Sequence, residues 1–258
     1  MRRWPHGRAG MADVVIAVFN ARYAHASFGG RYLLANLEEL QERAALLEFD
    51  LQVQPRTAVE KILDGNPRIV SLGCYIWNID LATQVAALLK RIRPDITLIL
   101  GGPEISYETE QQEIFRYADY VICGEGEIEF PKLCRHILTT EATEEDGGTC
   151  HGNAVSSSEA GGKIIRAEAV DVETIQLPYD LYTDEDIAHR TLYVEASRGC
   201  PFRCEYCMSS LDSCVRYFPK ERFLSAMQRL FDRGARTFRF VDRSFNLDIA
   251  FALEILAF

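Results

Sequence analysis

The sequence predicts an α/β protein: a five-stranded parallel sheet, doubly wound and flavodoxin-like (Rossmann-like), followed by a shorter run of β/α units. Three observations lead there. Over the first 140 residues, short and continuously apolar runs alternate with stretches of helical periodicity, as expected of strands covered on both faces by crossover helices. Glycine-bearing turns close several of those runs, at the strand ends where open α/β sheets bind ligands. After an acidic interruption the alternation resumes from Leu192.

The elements follow in order. "VVIAVF" (Val14–Phe19) reads as a buried strand, and Leu33, Leu37, Leu40 and Ala44 share one face of a helix from about Gly30 to Leu47. "LEFDLQV" is the second strand. A short helix follows, opened by the capping box Thr57-x-x-Glu60 and closed near Gly65. "RIVSLG" is the third strand, and the next helix, capped by Asn78, carries Leu81, Val85, Leu88, Leu89 and Ile92. "ITLIL" (Ile96–Leu100) and "YVIC" (Tyr120–Cys123) are the fourth and fifth strands, the latter followed by a helix over about Glu127–Leu138. "EATEEDGGTCHGNAVSSSEAGGK" cannot bury much and reads as a linker, with a short hairpin between "GNAVSS" and "KIIRAE". Beyond the acidic "LPYDLYTDEDIAHR" come a strand "LYVEA", a cysteine-rich loop, a helix over about Pro219–Asp232, a strand "TFRFVD" (Thr237–Asp242), a loop and a last helix. Residues 1–12 are then an N-terminal extension, 13–140 the sheet domain, 141–190 an acidic linker and 191–258 a second domain.

Composition excludes several classes. Eight cysteines in 258 residues fall short of a disulfide scaffold, and "VVIAVF" is too short for a secretory core. No apolar run approaches the ~20 residues of a membrane span. The expectation is a cytoplasmic protein with reduced thiols, in which clustered cysteines point to metal or redox chemistry. The net charge of −10 is concentrated in residues 141–190, which hold 12 acidic and 3 basic residues, whereas residues 191–258 are net +2. That balance offers no basic face for nucleic acid.

The cysteines of "EASRGCPFRCEYCMSS" carry the chemistry. Cys200, Cys204 and Cys207 have C-x3-C-x2-C spacing directly after a strand. A closed zinc or iron–sulfur site takes four ligands, and Cys214 is the nearest fourth thiol, so a zinc-stabilised regulatory protein is one reading. The other is a cubane held at three irons, with the fourth open to a non-protein ligand. The loop sits at the C-terminal end of a strand, where barrel folds place their chemistry.

"SRGCPFRCEYC" resembles the motif of the radical S-adenosylmethionine (SAM) enzymes, C-x3-C-x-aromatic-C, with Tyr206 as the aromatic. The resemblance implies a [4Fe-4S] cluster on Cys200, Cys204 and Cys207. It also implies an open iron that chelates SAM, and reductive cleavage to a 5′-deoxyadenosyl radical. Tyr206 and Asp242 are the SAM-binding candidates it suggests. A low-potential reductant such as flavodoxin or ferredoxin is implied as a partner.

The preceding sheet resembles the cobalamin-binding domain found in many such enzymes. "VSLG" is similar to its Ser-x-Leu segment, "LGGPE" to its Gly-Gly turn and "CGEGE" to its Gly-Glu-Gly-Glu turn. By this resemblance Ser71, Leu72, Gly73, Gly101, Gly102, Pro103, Glu104, Gly124, Glu125 and Gly126 line a cobalamin site. Gly101 and Gly102 would let the tetrapyrrole approach the backbone. Tyr75 and Trp77 pack either on the corrin or in the core. One departure stands out: the family's Asp-x-His-x-x-Gly is replaced by "NARYAHASFGG", with one extra residue between His25 and Gly29 and Tyr23 in the Asp position. His25 is a candidate cobalt ligand without an evident partner to orient its ring, or else a pocket or surface histidine. Cys74, Cys123 and Cys134 read as semi-buried thiols, Cys150 as a linker thiol, and His136 as structural; His151 and His189 carry no assignment.

The second domain is short. A full β/α barrel takes ~250 residues and a six-unit partial TIM barrel nearer ~180. From Leu192 there is room for two units, ending in the apolar "IAFALEILAF", so the expectation is an incomplete radical SAM domain with exposed apolar surface. "FVDRSFN" resembles the end of the second barrel strand, with Asp242, Arg243 and Asn246 facing substrate or cofactor, or forming a structural turn. The implied activity is cobalamin-dependent radical SAM chemistry, methyl transfer to an unactivated substrate being one of its outcomes. The alternative is a chain that binds corrinoid, cluster or both without catalysis.

Overall fold

A computed structural model describes residues 12–145, 163–211 and 214–258. The N-terminal extension up to residue 11, the "GNAVSS" half of the expected hairpin, Cys150 and His151 lie outside the described residues. The chain divides into two compact units: residues 1–23 with 29–170, and residues 24–28 with 171–258.

The first unit is built on a parallel sheet of six strands: β1 (Val14–Asn20), β2 (Ala44–Asp50), β3 (Ile69–Gly73), β4 (Thr97–Gly101), β5 (Tyr120–Cys123) and β6 (Ile164–Arg166). Their order is β2-β1-β3-β4-β5-β6. The flavodoxin-like class is as the sequence predicts, with one strand more. "KIIRAE", the described half of the expected hairpin, contributes β6 to the sheet. It pairs in parallel with β5, Val121 opposite Ile164 and Cys123 opposite Arg166. An exposed edge of apolar β5 would leave backbone groups unpaired, and β6 takes them up.

All seven residues of β1 are buried, which explains its unbroken apolar run. Its Val15, Ala17 and Phe19 form one hydrophobic layer with Val59 and Ile62 of α2 (Pro55–Leu63) and with Val85 and Leu89 of α3 (Ile79–Ile92). The first helix is shorter than its periodicity suggests. The α1 segment (Phe28–Ala35) stops where the Asn36 amide turns back to the Tyr32 carbonyl at 2.9 Å, and Glu38 adopts a positive φ of 51°. Both features oppose continued helix. Ala44–Leu47, expected in the helix, begin β2 instead, in register with β1. The capping box is also displaced. Gln54 is the N-cap, with Pro55 opening the helix, and Glu60 pairs with Arg56 one turn away at 2.9 Å. The last helix of this unit, α4 (Glu129–Glu145), runs past its predicted end.

The second unit holds the two β/α repeats expected: β7 (Leu192–Val194), α6 (Lys220–Asp232), β10 (Phe238–Phe240) and α7 (Ile249–Ala257), with β10 parallel to β7. Two elements were not anticipated. One is α5 (Asp184–His189), which starts with a true capping box between Thr183 and Asp186. The other is an antiparallel pair, β8 (Ser197–Arg198) and β9 (Arg216–Tyr217), flanking the cysteine loop. The core gathers Leu192, Val194, Phe223, Met227 and Leu230 with Tyr179 and Tyr182 of "LPYDLY". Ile249, Leu253 and Leu256 of α7 are exposed.

Candidate functional site

In a parallel sheet every strand delivers its following loop to the same edge. In the order found here, β2 is added on one side of β1 and β3 to β6 on the other, and this switch in winding opens a crevice between the loops that follow β1 and β3. Asn78 stands at that point. It is buried, and it does not cap α3 through its side chain. Its amide instead donates to the carbonyls of Phe19 (3.1 Å) and Gly73 (3.0 Å), and its Oδ1 accepts from the Tyr75 N–H at 2.8 Å. One side chain thus joins the ends of β1 and β3 and shapes the turn between β3 and α3. Asn78→Ala leaves two carbonyls and an N–H to find other partners. It is expected to cost about 3 kcal/mol, read by chemical denaturation of the purified chain. A loss below about 0.5 kcal/mol would show that water replaces the amide without penalty.

The glycine turns after β3, β4 and β5 are tied together. Cys74 N–H donates to Gly101 O at 2.7 Å, and Glu104 N–H donates to Cys74 O at 3.2 Å. The Ser106 hydroxyl donates to Gly102 O at 2.8 Å and accepts from Gly124 N–H at 3.2 Å. Gly102 has φ +107°, and a Cβ there would fall 2.5 Å from the Cys74 carbonyl oxygen. Gly124 also has a positive φ, whereas Gly101 has ordinary room for a Cβ. The backbone closeness that the sequence assigns to both glycines therefore belongs to Gly102. Gly126 faces Leu33, with a hypothetical Cβ 3.1 Å from its Cδ2. Glu125 accepts the Val170 N–H at 2.7 Å, and Pro103 and Glu104 are half-buried in the same run. Of the β3 candidates, Gly73 lies at the strand end, whereas Ser71 and Leu72 are buried inside the sheet, Leu72 in its hydrophobic layer.

Tyr75 and Trp77 stack on each other at 4.6 Å, 12° from parallel, and Trp77 stays half exposed. Cys74, Cys123 and Cys134 are fully rather than semi-buried. Burial pushes the thiols of Cys74 and Cys134 up to about 12, so both stay protonated at neutral pH and serve as small apolar groups.

His25 belongs to the second unit. There Thr191 N–H donates to Ala24 O at 2.7 Å, and Arg190 donates to His25 O at 2.5 Å. The ring Nδ1 meets the Tyr193 hydroxyl. The orienting partner that local spacing does not reveal is thus supplied from 168 residues away.

The strand leading to the cysteines is finished by two buried phenols. Tyr182 OH donates to Tyr193 O (2.7 Å) and accepts from Tyr193 N–H (3.1 Å), and Tyr179 OH does the same at Glu195, 3.1 Å each way. Burial, reinforced by the Glu195 carboxylate, holds the Tyr179 phenol well above its usual range, so it keeps its proton to donate. The β7 edge is satisfied without another strand.

The loop itself starts at Gly199, φ +92°, where a Cβ would lie 2.0 Å from the Cys214 carbonyl oxygen. Only glycine fits there. Cys200 and Cys207 are half-buried, Cys204 and Cys214 are exposed, and Cys200, Cys204 and Cys207 are free thiols. A turn with Cys207 N–H on Cys204 O (3.0 Å) brings the last two toward each other. Among the described residues no three His, Cys, Asp or Glu side chains close around a single ion. Three thiols on one loop are a donor set of the type that iron–sulfur clusters take. Tyr206 is 94% exposed. Asp242 is turned to the chain itself: both carboxylate oxygens accept the Ala196 N–H at 3.1 Å, and the Ser197 hydroxyl donates to Oδ1 at 2.7 Å. Burial raises its carboxyl above the usual range, and those bonds oppose the rise. Arg243 and Asn246 are exposed. Sequence reasoning missed Asn78's stitching role, Ser106, and the paired tyrosines; the repeated Tyr-x-x-Tyr of "LPYDLY" was the available signal for the last.

The sheet order, the buried β1 and the laced glycine turns define a Rossmann-like ligand-binding domain of the B12 type. Residues 14–134 match the B12 binding domain family, and this part of the chain is a B12-binding domain. The chain is homologous to cobalamin-dependent radical SAM methyltransferases over part of their length. It is 28% identical over 245 residues to the cobalamin-dependent radical SAM methyltransferase TokK of Streptomyces tokunonensis, covering 86% of this chain and 35% of that protein. It is 27% identical over 234 residues to the 2-(S-pantetheinyl)-carbapenam-3-carboxylate methyltransferase of Streptantibioticus cattleyicolor, covering 81% and 33%. The structure of the cobalamin-dependent SAM radical enzyme OxsB, with aqua-cobalamin and SAM bound, shares the fold with a TM-score of 0.62 at 18% identity, over 91% of this chain and 34% of that one. The chain spans about a third of the length of these proteins. Among the described residues no helix is long and apolar enough to cross a membrane.

Proposed function

We propose that this chain supplies the corrinoid-binding and cluster-binding parts of a cobalamin-dependent radical SAM enzyme acting in methyl transfer to an unactivated substrate. One observation carries the reading. Three free thiols lie on a glycine-hinged loop at the C-terminal end of a parallel strand, in the same chain as a B12-binding domain.

The corrinoid bed is assigned to the loops after β3, β4 and β5, where Gly102 leaves the backbone bare and Asn78 and Ser106 hold the turns in place. Cys200, Cys204 and Cys207 are assigned as the ligands of a [4Fe-4S] cluster. When bound, such a cluster supplies a low-potential electron and an open iron for the amino and carboxylate groups of SAM. The protein's own part is positional. Gly199 lets the loop fold tightly against the Cys214 backbone, and β8 with β9 clamps its two ends. The tyrosine-finished edge of β7 keeps the strand beneath it in place. The TokK and carbapenam relatives support methyl transfer as the reaction class. A reductant of the flavodoxin or ferredoxin kind is the proposed electron donor.

The test is anaerobic reconstitution followed by metal analysis, hydroxocobalamin titration and an assay for 5′-deoxyadenosine after dithionite reduction. About four irons and four sulfides per chain are expected, with a shift of the corrin absorption on binding. Stoichiometric zinc without iron would overturn the cluster assignment. Full cluster and corrinoid without 5′-deoxyadenosine would leave binding, not catalysis, as the function of this length of chain.

A further inference from the structure

The loop after β10 meets the cysteine loop through a polar contact: Ser244 Oγ lies 3.5 Å from Cys200 Sγ, across 44 residues of sequence. Backbone geometry brings it there. Phe240 sits opposite Val194 in the β10–β7 ladder, and Val241 N–H donates to Val194 O at 2.9 Å. Beyond that rung the ladder is continued by a side chain. Asp242 takes the Ala196 N–H and the Ser197 hydroxyl, which pins the β10 loop to the residues leading into the cysteines. Ser244 follows two residues later, and both it and Cys200 are half-buried, so water does not fully replace their contact.

We propose that Ser244 donates a hydrogen bond to the Cys200 sulfur when that sulfur ligates the cluster, and that Asp242 is the positioning residue that holds Ser244 in place. The inference rests on the cluster assignment above. A ligating thiolate has no proton to give, so the hydroxyl must be the donor. Reduction adds negative charge to the cluster and its sulfurs, and a donated hydrogen bond stabilises that charge. Ser244 therefore favours the reduced form, by the same route through which hydrogen bonds to sulfur set cluster potentials generally. On this view Asp242, a SAM-binding candidate by sequence, acts through the protein rather than on the ligand.

The experiment is a redox titration of the reconstituted cluster in wild type, Ser244→Ala, Ser244→Thr and Asp242→Asn, followed by electron paramagnetic resonance. Iron and sulfide content should be equal in all four. At the potential where the wild-type cluster is half reduced, Ser244→Ala should show about a threefold lower reduced-to-oxidised ratio. Ser244→Thr, which keeps the hydroxyl, should restore it, and Asp242→Asn should shift in the direction of Ser244→Ala. An unchanged ratio in Ser244→Ala, with the cluster intact, overturns the hydrogen bond while leaving the proposed function standing. Failure of the wild type to hold a cluster overturns both. Should Asp242→Asn not fold, the two Ser244 variants alone decide the donor's role.

Discussion

Replacing Cys204 with alanine is expected to abolish the iron and sulfide content of the anaerobically reconstituted chain. The cysteine is exposed, so the fold should survive its truncation and circular dichroism should match the wild type. Its backbone carbonyl, which receives the Cys207 N–H, remains in the variant. What goes is one of the three proposed thiolate ligands, and a cubane held at two irons is more open to loss to solvent than one held at three. Cys214→Ser makes the complementary measurement. Cys214 is exposed, and its backbone carbonyl lies where a side chain on Gly199 would clash, so it is the fourth thiol that a closed site would recruit. Full iron in Cys214→Ser together with none in Cys204→Ala is the outcome of a three-legged cluster. Loss of metal in both would mean four protein ligands, and the open iron on which SAM binding depends would not exist.

Gly102→Ala should unfold the corrinoid bed. At φ +107° an L side chain is strained wherever it points, at a cost of about 1–3 kcal/mol. The added Cβ would also sit 2.5 Å from the Cys74 carbonyl oxygen, which is backbone and is already engaged by the Glu104 N–H. Relief requires separating the loops after β3 and β4, and with them the bond that Ser106 donates to Gly102. A total loss of about 3 kcal/mol or more is expected, lowering the melting temperature by about 6–12 °C, with hydroxocobalamin titration showing little or no binding. Gly101→Ala is the control, since its Cβ would be 3.7 Å from Ile122 O, an ordinary contact. If both variants melt and bind like wild type, the turn after β4 does not shape the bed. If Gly101→Ala is the one that fails, the steric account of the Gly-Gly pair is reversed.

What could be read without coordinates was what short stretches encode. Continuous apolar runs at β1, β3, β4 and β5 mark strands covered on both faces, because a strand buried on two sides has no polar alternation to show. Cys200, Cys204 and Cys207 stand out in the sequence as a candidate ligand set because chelation by one loop demands close spacing. The glycine turns were visible because a positive φ is written into sequence as glycine. The errors arose where local pattern and tertiary pairing disagree. Leu37, Leu40 and Ala44 fit a helical face, yet Ala44 begins β2 because pairing the whole of Ala44–Asp50 with β1 satisfies a full row of backbone groups.

Only the tertiary structure decided which of two adjacent glycines is indispensable, that β5 gains a sixth strand as neighbour, and where the polar side chains spend their hydrogen bonds. Asn78 stands at the N-cap of α3, as its sequence position suggests, but its side chain joins β1 to β3 across 59 residues, and the Asp242 carboxylate holds Ala196 and Ser197. Tyr193 orients His25 from the far end of the chain. A residue's type and periodicity state what it can donate, accept or bury. The partner is selected by which groups the packed core leaves within about 3 Å, and that proximity depends on the whole fold rather than on any stretch of sequence.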